Sequence, residues 1–164
     1  MLNFRLFGPD SNEDAVALFG LFDQAREYSL LVEGKLPTIE GAKDELTALP
    51  PGKQLHDKYY GGYWNDDTLV GCMELIRGHP DPDIAYLGLL LFGNSHQGRG
   101  YGRAAMSHIS DLARSWGCTK LRLAVIEGNV RGLRFWQREG FVELYRKPTA
   151  KFTGDAIVLQ RAIS

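Results

Sequence analysis

Apolar positions along the chain switch between a period of two and a period near three and a half. Asn3–Phe7 predicts a short strand, and Gly8-Pro9-Asp10-Ser11 ends it and offers caps for a helix from about Asn12. Ala15, Leu18, Phe19 and Phe22 then recur at helical spacing. A more polar helix is predicted over 39–49, ended by Pro50-Pro51-Gly52. Asp57–Trp64 and Thr68–Ile76 flank Asn65-Asp66-Asp67 and predict an antiparallel hairpin with a short turn. The nearly continuous apolar run Ile84–Phe92 predicts a strand buried on both faces.

After a glycine cluster, Ala104, Met106, Ile109, Leu112, Ala113 and Trp116 form the apolar stripe of an amphipathic helix that Gly117 stops. Leu121, Leu123 and Val125 alternate as in a strand. Val130–Glu139 predicts a short helix ended by Gly140, and Phe141–Arg146 with Asp155–Arg161 predicts a last strand pair. The order is βααββ–βαβαββ, without repeat or linker. It predicts a single α/β domain over residues 1–164 with a mixed sheet.

Composition narrows the function classes. The 164 residues are 44% hydrophobic and 24% charged, with a formal net charge of −1. A nucleic-acid binder ordinarily carries a basic face, so no nucleic-acid partner is expected. Cys72 and Cys118 sit in apolar runs and are expected as reduced core thiols. His56, His79, His96 and His108 show no metal-ligand spacing, so no metal is expected. Neither a secretory core nor a membrane-length apolar run is recognisable, so a cytoplasmic protein without a membrane partner is expected.

The chemistry is concentrated between Leu87 and Phe141. A strand ends at Phe92, and Gln97-Gly98-Arg99-Gly100-Tyr101-Gly102 leads into a helix. The first N–H groups of a helix have no partner within it, and with the helix dipole they favour a phosphate. Glycines let the backbone approach the anion, and Arg99 and Arg103 offer charge-assisted hydrogen bonds. The Walker pattern fails because Arg103-Ala104 follows Gly102, and the dinucleotide fingerprint fails because the glycines are spaced by two.

Gln97-x-x-Gly100-x-Gly102 resembles the Gln/Arg-x-x-Gly-x-Gly/Ala motif of the GNAT superfamily, the acyl-CoA-dependent N-acyltransferases. Asn129-x-x-Gly132-x-x-Phe135-Trp136-x-x-x-Gly140-Phe141 resembles that family's Asn-x-x-Ala-x-x-Phe-Tyr-x-x-x-Gly-Phe segment. The close resemblance covers about residues 85–146. It implies a twisted, mostly antiparallel mixed sheet splayed into a V and flanked by helices. It also implies that Leu90 and Phe92 hold the pantetheine arm of acetyl-CoA by backbone groups. Residues 97–102 (Gln97, Gly98, Arg99, Gly100, Tyr101 and Gly102) and Arg103 would hold the pyrophosphate. Asn129 and Trp136 would lie near the thiol end.

Trp136 departs from the family's tyrosine, often assigned to protonate the leaving thiolate; an indole N–H is no proton-transfer acid near neutral pH. A thiol of pKa about 8.5 leaves as thiolate at pH 7.4 at a cost of roughly 1.5 kcal/mol, so the departure slows transfer without forbidding it. A lysine-like amine, of pKa about 10.4, must lose a proton before attack. Glu74, Asp83, Tyr86 and Glu127 are candidates for that service, and Tyr145 offers a further hydroxyl. Tyr59, Tyr60, Tyr63 and Trp64 are either core with a surface stripe or walls of an acceptor pocket.

The expectation is an N-acetyltransferase that moves acetyl from acetyl-CoA to a small-molecule or peptide amine, with Glu74, Tyr86 and Asn129 as catalytic candidates. The alternative is a non-catalytic acyl-CoA sensor or interaction module of the same fold. The loops Tyr28–Pro37 and Lys147–Gly154, together with the hairpin of Asp57–Trp64 and Thr68–Ile76, are expected to select the acceptor. The sequence leaves both a monomer and a homodimer open.

Overall fold

The structure, a computed structural model, describes residues 2–163. The strands are β1 (Asn3–Leu6), β2 (Lys58–Asn65), β3 (Thr68–Arg77), β4 (Ile84–Phe92), β5 (Lys120–Ile126), β6 (Val142–Lys147) and β7 (Ala156–Ala162). The α-helices are α1 (Asn12–Gln24), α2 (Arg26–Glu33), α3 (Ile39–Glu45), α4 (Tyr101–Ser115) and α5 (Val130–Arg138). One seven-stranded sheet runs in the order β1-β2-β3-β4-β5-β7-β6. Every neighbouring pair is antiparallel except β4 and β5.

That exception shapes the molecule. β4 and β5 pair only from Ile84–Lys120 to Tyr86–Arg122, and then diverge. A bulge helps to turn β4 away. Glu74 of β3 faces Leu89 and Leu75 faces Leu87, which leaves Gly88 without a partner and adds local twist. The splayed sheet implied by the sequence is therefore present. The expectation that β4 is buried on both faces is corrected: Gly88 is exposed and Leu89 and Leu90 are half-buried. The second half of the run is apolar because it walls a cleft.

Each sheet face has its own core. Met73, Leu75, Leu121, Leu123 and Leu159 pack against Ala105, Met106, Ile109 and Ala113 of α4. These α4 residues recur at helical spacing, so one stripe of the helix is buried; cutting Ile109 to Ala would cost about 2–5 kcal/mol. On the other face Cys72, Tyr60 and Leu91 pack against Leu18 and Leu21 of α1 and Ala42 of α3. Cys72 and Cys118 are buried and free, as expected.

The helix starts follow capping chemistry. The Ser11 hydroxyl accepts from the Asp14 N–H at 3.0 Å, and the Thr38 hydroxyl accepts from Gly41 at 3.0 Å. The sequence reading missed α2, treating Tyr28–Pro37 as a loop. Ala25 breaks the helical course, and α2 then runs to Gly34, whose φ of 75° forms a left-handed end. The tyrosine-rich strand is also settled: Tyr59, Tyr60, Tyr63 and Trp64 do not line the cleft. Tyr63 stacks on Phe92 and bonds His108 Nδ1 at 2.9 Å, while Trp64 lies under the Arg5 guanidinium.

Candidate functional site

The fork opens into a cleft of about 1340 Å³. β4 and β5 form its floor, α4 and α5 one side, and α2, α3 and the β6–β7 loop the other. Drug-sized ligands fill about 300–1000 Å³, so this cleft has room for a long ligand and a second reactant.

On the α4 side, Gly98 and Gly100 have φ of 75° and 80°, and a Cβ at either would meet no atom within 4 Å. Gly100 is the N-cap of α4 and supplies no side-chain cap. The first helical bond is Ala104 N–H to Gly100 O at 3.2 Å, so the earlier amides of this turn are left for another acceptor. An open, glycine-lined, uncapped helix start suits a pyrophosphate, the chemistry the sequence assigned to it.

The other residues assigned to this loop divide their work. Gln97 donates from Nε2 to Phe92 O at 2.9 Å and to Asn94 Oδ1 at 3.3 Å, tying the loop to the end of β4. Tyr101 packs 5.8 Å from Phe92 and is half-buried. Gly102 lets α4 approach α5, because a Cβ there would stand 3.0 Å from the Phe135 ring. Arg99 and Arg103 are exposed, and Arg103 lies 3.8 Å from Glu139.

Along the floor, Gly93 N–H donates to Val70 O of β3. By strand alternation the N–H groups of Leu90 and Phe92 face the other way, into the fork. Asn129 caps α5: its Oδ1 accepts from Gly132 N–H at 3.0 Å, which leaves its amide N–H groups at the cleft wall. Trp136 is half-buried at the cleft, edge-on to Phe135 and Phe141 at 4.8 and 5.4 Å.

The proposed proton acceptors fall in different places. Tyr86 stands where the strands part and lines the cleft; burial first, and the neighbouring Tyr145 second, push its hydroxyl pKa up. Glu74 is one strand back from the wall, ion-paired with Lys58, whose side chain is only 3% exposed. Its carboxylate lies over Gly88, where a Cβ would overlap it. Asp83 pairs with Lys120 at the closed end of the fork, and neither Asp83, Glu127 nor the exposed edge-strand Tyr145 lines the cleft.

Two groups escaped the sequence reading. Glu45, on α3, lines the cleft, and burial first and Glu74 second raise its carboxyl pKa. Tyr28, on α2, lines it too, with its hydroxyl pushed to about 12, mainly by burial. Neither carries a local motif; only the packing of α2 and α3 over β3 brings them to the fork. Among the described residues no group of three or more His, Cys, Asp or Glu side chains could hold a metal ion, and no helix is long and apolar enough to cross a membrane.

The sheet forked between two parallel strands, with an uncapped glycine-rich helix start at its mouth, sits in a chain whose sequence matches an acyltransferase family. The chain belongs to the acetyltransferase (GNAT) family, whose profile matches residues 27–141. Among solved structures it resembles an acetyltransferase from Thermus thermophilus at 25% identity and TM-score 0.80, covering 99% of this chain and 97% of that one. It shares its fold with the PaiA N-acetyltransferase from Thermoplasma acidophilum in complex with coenzyme A, at 18% identity and TM-score 0.69, with 99% of both chains covered. A GNAT-family acetyltransferase from Streptococcus pneumoniae matches at 16% identity and TM-score 0.71, over 100% of both chains. No curated protein sequence matches significantly.

Proposed function

We propose that the protein is an N-acetyltransferase that moves the acetyl group of acetyl-CoA to a primary amine by direct attack. The observation that carries this is the fork itself: an anion-binding helix start on one side and a half-buried carboxylate, Glu45, on the other meet over the unpaired edge of β4. The first amides of α4 hold the pyrophosphate, with Arg99 and Arg103 at the mouth. The fork-facing N–H groups of Leu90 and Phe92 orient the pantetheine arm. They also place a donor near the thioester oxygen, where negative charge grows during attack. The Asn129 amide binds the same arm from α5. No covalent enzyme intermediate is needed, because burial pushes both cysteine thiols up and neither lines the cleft.

Trp136 packs and does not donate a proton. Tyr86 keeps its proton through the neutral range and stands at the fork, so it is the hydroxyl positioned to assist the departing thiolate. The acceptor is a small-molecule or peptide amine that enters between α2, α3 and the β6–β7 loop.

Thiol release from acetyl-CoA against a panel of amines tests the reading. Amine-dependent release with stoichiometric acetylated product supports it. Tight coenzyme A binding without release for any amine would instead make the chain an acyl-CoA sensor.

A further inference from the structure

Both sides of the cleft carry mixed charge. Glu27, Glu33, Asp44 and Glu45 line it from α2 and α3, with Lys35 just beyond α2 and Lys147 and Lys151 from the β6–β7 side, and Arg103, Arg131, Arg138 and Glu139 line it from the α4–α5 side. Two of the four carboxylates are otherwise accounted for: Glu27 accepts from Asn94 Nδ2 at 2.8 Å and Asp44 is exposed, while Glu33 at the end of α2 is half-buried and, like Glu45, has no hydrogen-bond or ion-pair partner among the described residues. Glu45 is half-buried, and among the described residues no hydrogen bond or ion pair ends on it. Nearby, Lys58 donates to Ala48 O at 2.6 Å and to Glu74, so the buried cation is taken. The Tyr60 hydroxyl, also close to the charges of Glu45 and Glu74, is buried beside the Cys72 thiol and has no oxygen or nitrogen partner among the described residues. Even a half-buried carboxylate is stabilised by an opposite charge, so the unpaired place of Glu45 at a cleft wall points to a cation from outside.

We propose that Glu45 receives a positively charged primary amine at the cleft and takes the proton that the amine must shed before attack. The assignment rests on the acetyl-transfer reading. One ammonium proton moves to a Glu45 oxygen. The freed nitrogen lone pair forms the C–N bond to the acetyl carbon, the C–S bond breaks, and its electron pair leaves on sulfur. Glu45 then returns its proton to solvent, and the second proton, shed by the nitrogen as the amide forms, goes to the departing thiolate.

The groups facing Glu45 favour this role. Glu33 and Tyr28 come from α2, Lys58 and Tyr60 from β2, Cys72 and Glu74 from β3, and Lys151 from the β6–β7 loop. Burial and the two carboxylates raise its pKa, while Lys151 and Lys58 oppose them. A carboxyl moved toward the pKa of the amine is the better base. Glu74, held by Lys58, is in this scheme a positioning residue.

The test compares wild type, Glu45→Gln and Glu74→Gln with 1,4-diaminobutane as acceptor. At pH 7, Glu45→Gln is expected to lower kcat/KM by about 100-fold or more, the lower end of general-base catalysis. The deficit should narrow toward about pH 9.5, where solution supplies more neutral amine. Coenzyme A affinity should stay within about twofold, since the residue is on the opposite wall. No deficit, or one equally large at every pH, would overturn the proposal. If wild type binds coenzyme A but no amine releases thiol, acetyl transfer is what fails. Calorimetry of 1,4-diaminobutane on the coenzyme A complex then decides the Glu45 assignment. Binding weakened at least about tenfold by Glu45→Gln sustains it, and absent or unchanged binding overturns it.

Discussion

Gly100 separates what the helix start does for the fold from what it does for the ligand. Its φ of 80° is one a β-carbon disfavours, yet a Cβ there would meet nothing within 4 Å. Gly117, just past α4, has the same φ of 80° and equally open surroundings, but does not line the cleft. Replacing either by Ala therefore costs the same strain, about 1–2 kcal/mol. For a chain of this size that lowers Tm by roughly 2–8 °C. Only Gly100 lines the cleft, so under the proposed pyrophosphate assignment only Gly100→Ala should weaken coenzyme A, by at least about tenfold or 1.4 kcal/mol. Gly100→Val should abolish measurable binding. Differential scanning calorimetry and isothermal titration with coenzyme A read the two effects separately. Equal affinity in folded Gly100→Val and wild type would refute the pyrophosphate assignment, and so would an equal loss of affinity in Gly117→Ala.

Further outcomes follow from the same geometry. Trp136→Phe should keep turnover within about tenfold, because its ring packs on Phe135 and Phe141; a loss beyond about a hundredfold in a folded variant would mean that the indole takes part in chemistry. Gly88→Ala should cost about 1–3 kcal/mol and lower activity, since its Cβ would displace the Glu74 carboxylate; unchanged denaturant unfolding would contradict this. Glu45 has a folded pKa raised above its ordinary 4.5, so its contribution to stability is fully present below that value and is lost as pH rises through the folded pKa. Glu45→Gln should accordingly raise Tm at pH 7 and lose that advantage below about pH 4.5, and a lower Tm at pH 7 would show that the carboxylate is stabilised where it stands.

The legible parts of the sequence were those whose chemistry is local. Gly98, Gly100 and Gly102 before an apolar stripe mark a helix start wherever they occur, and Asn129 announces its cap three residues ahead of Gly132. The apolar run Ile84–Phe92 by itself predicts a strand buried on both faces, because leucines facing a ligand and leucines facing a core have the same pattern; only the family resemblance places Leu90 and Phe92 at a cleft. α2 was missed because Ala25 interrupts the helical course without a proline or glycine. Glu45 was invisible for a different reason. Its neighbours are Lys58 and Glu74, distant in sequence, and only the packing of α3 over β2 and β3 brings them together.

The central claim is amine-dependent acetyl transfer, and the most direct measurement follows both products of one reaction. Purified protein is incubated with acetyl-CoA and 1,4-diaminobutane, free thiol is titrated, and the amine is weighed by mass spectrometry. The account predicts one acetyl group gained by the amine for each thiol released, at a rate that rises through the neutral range as the ammonium loses its proton. Thiol release that is independent of any amine in the panel, or none at all from a protein that binds acetyl-CoA, would contradict it.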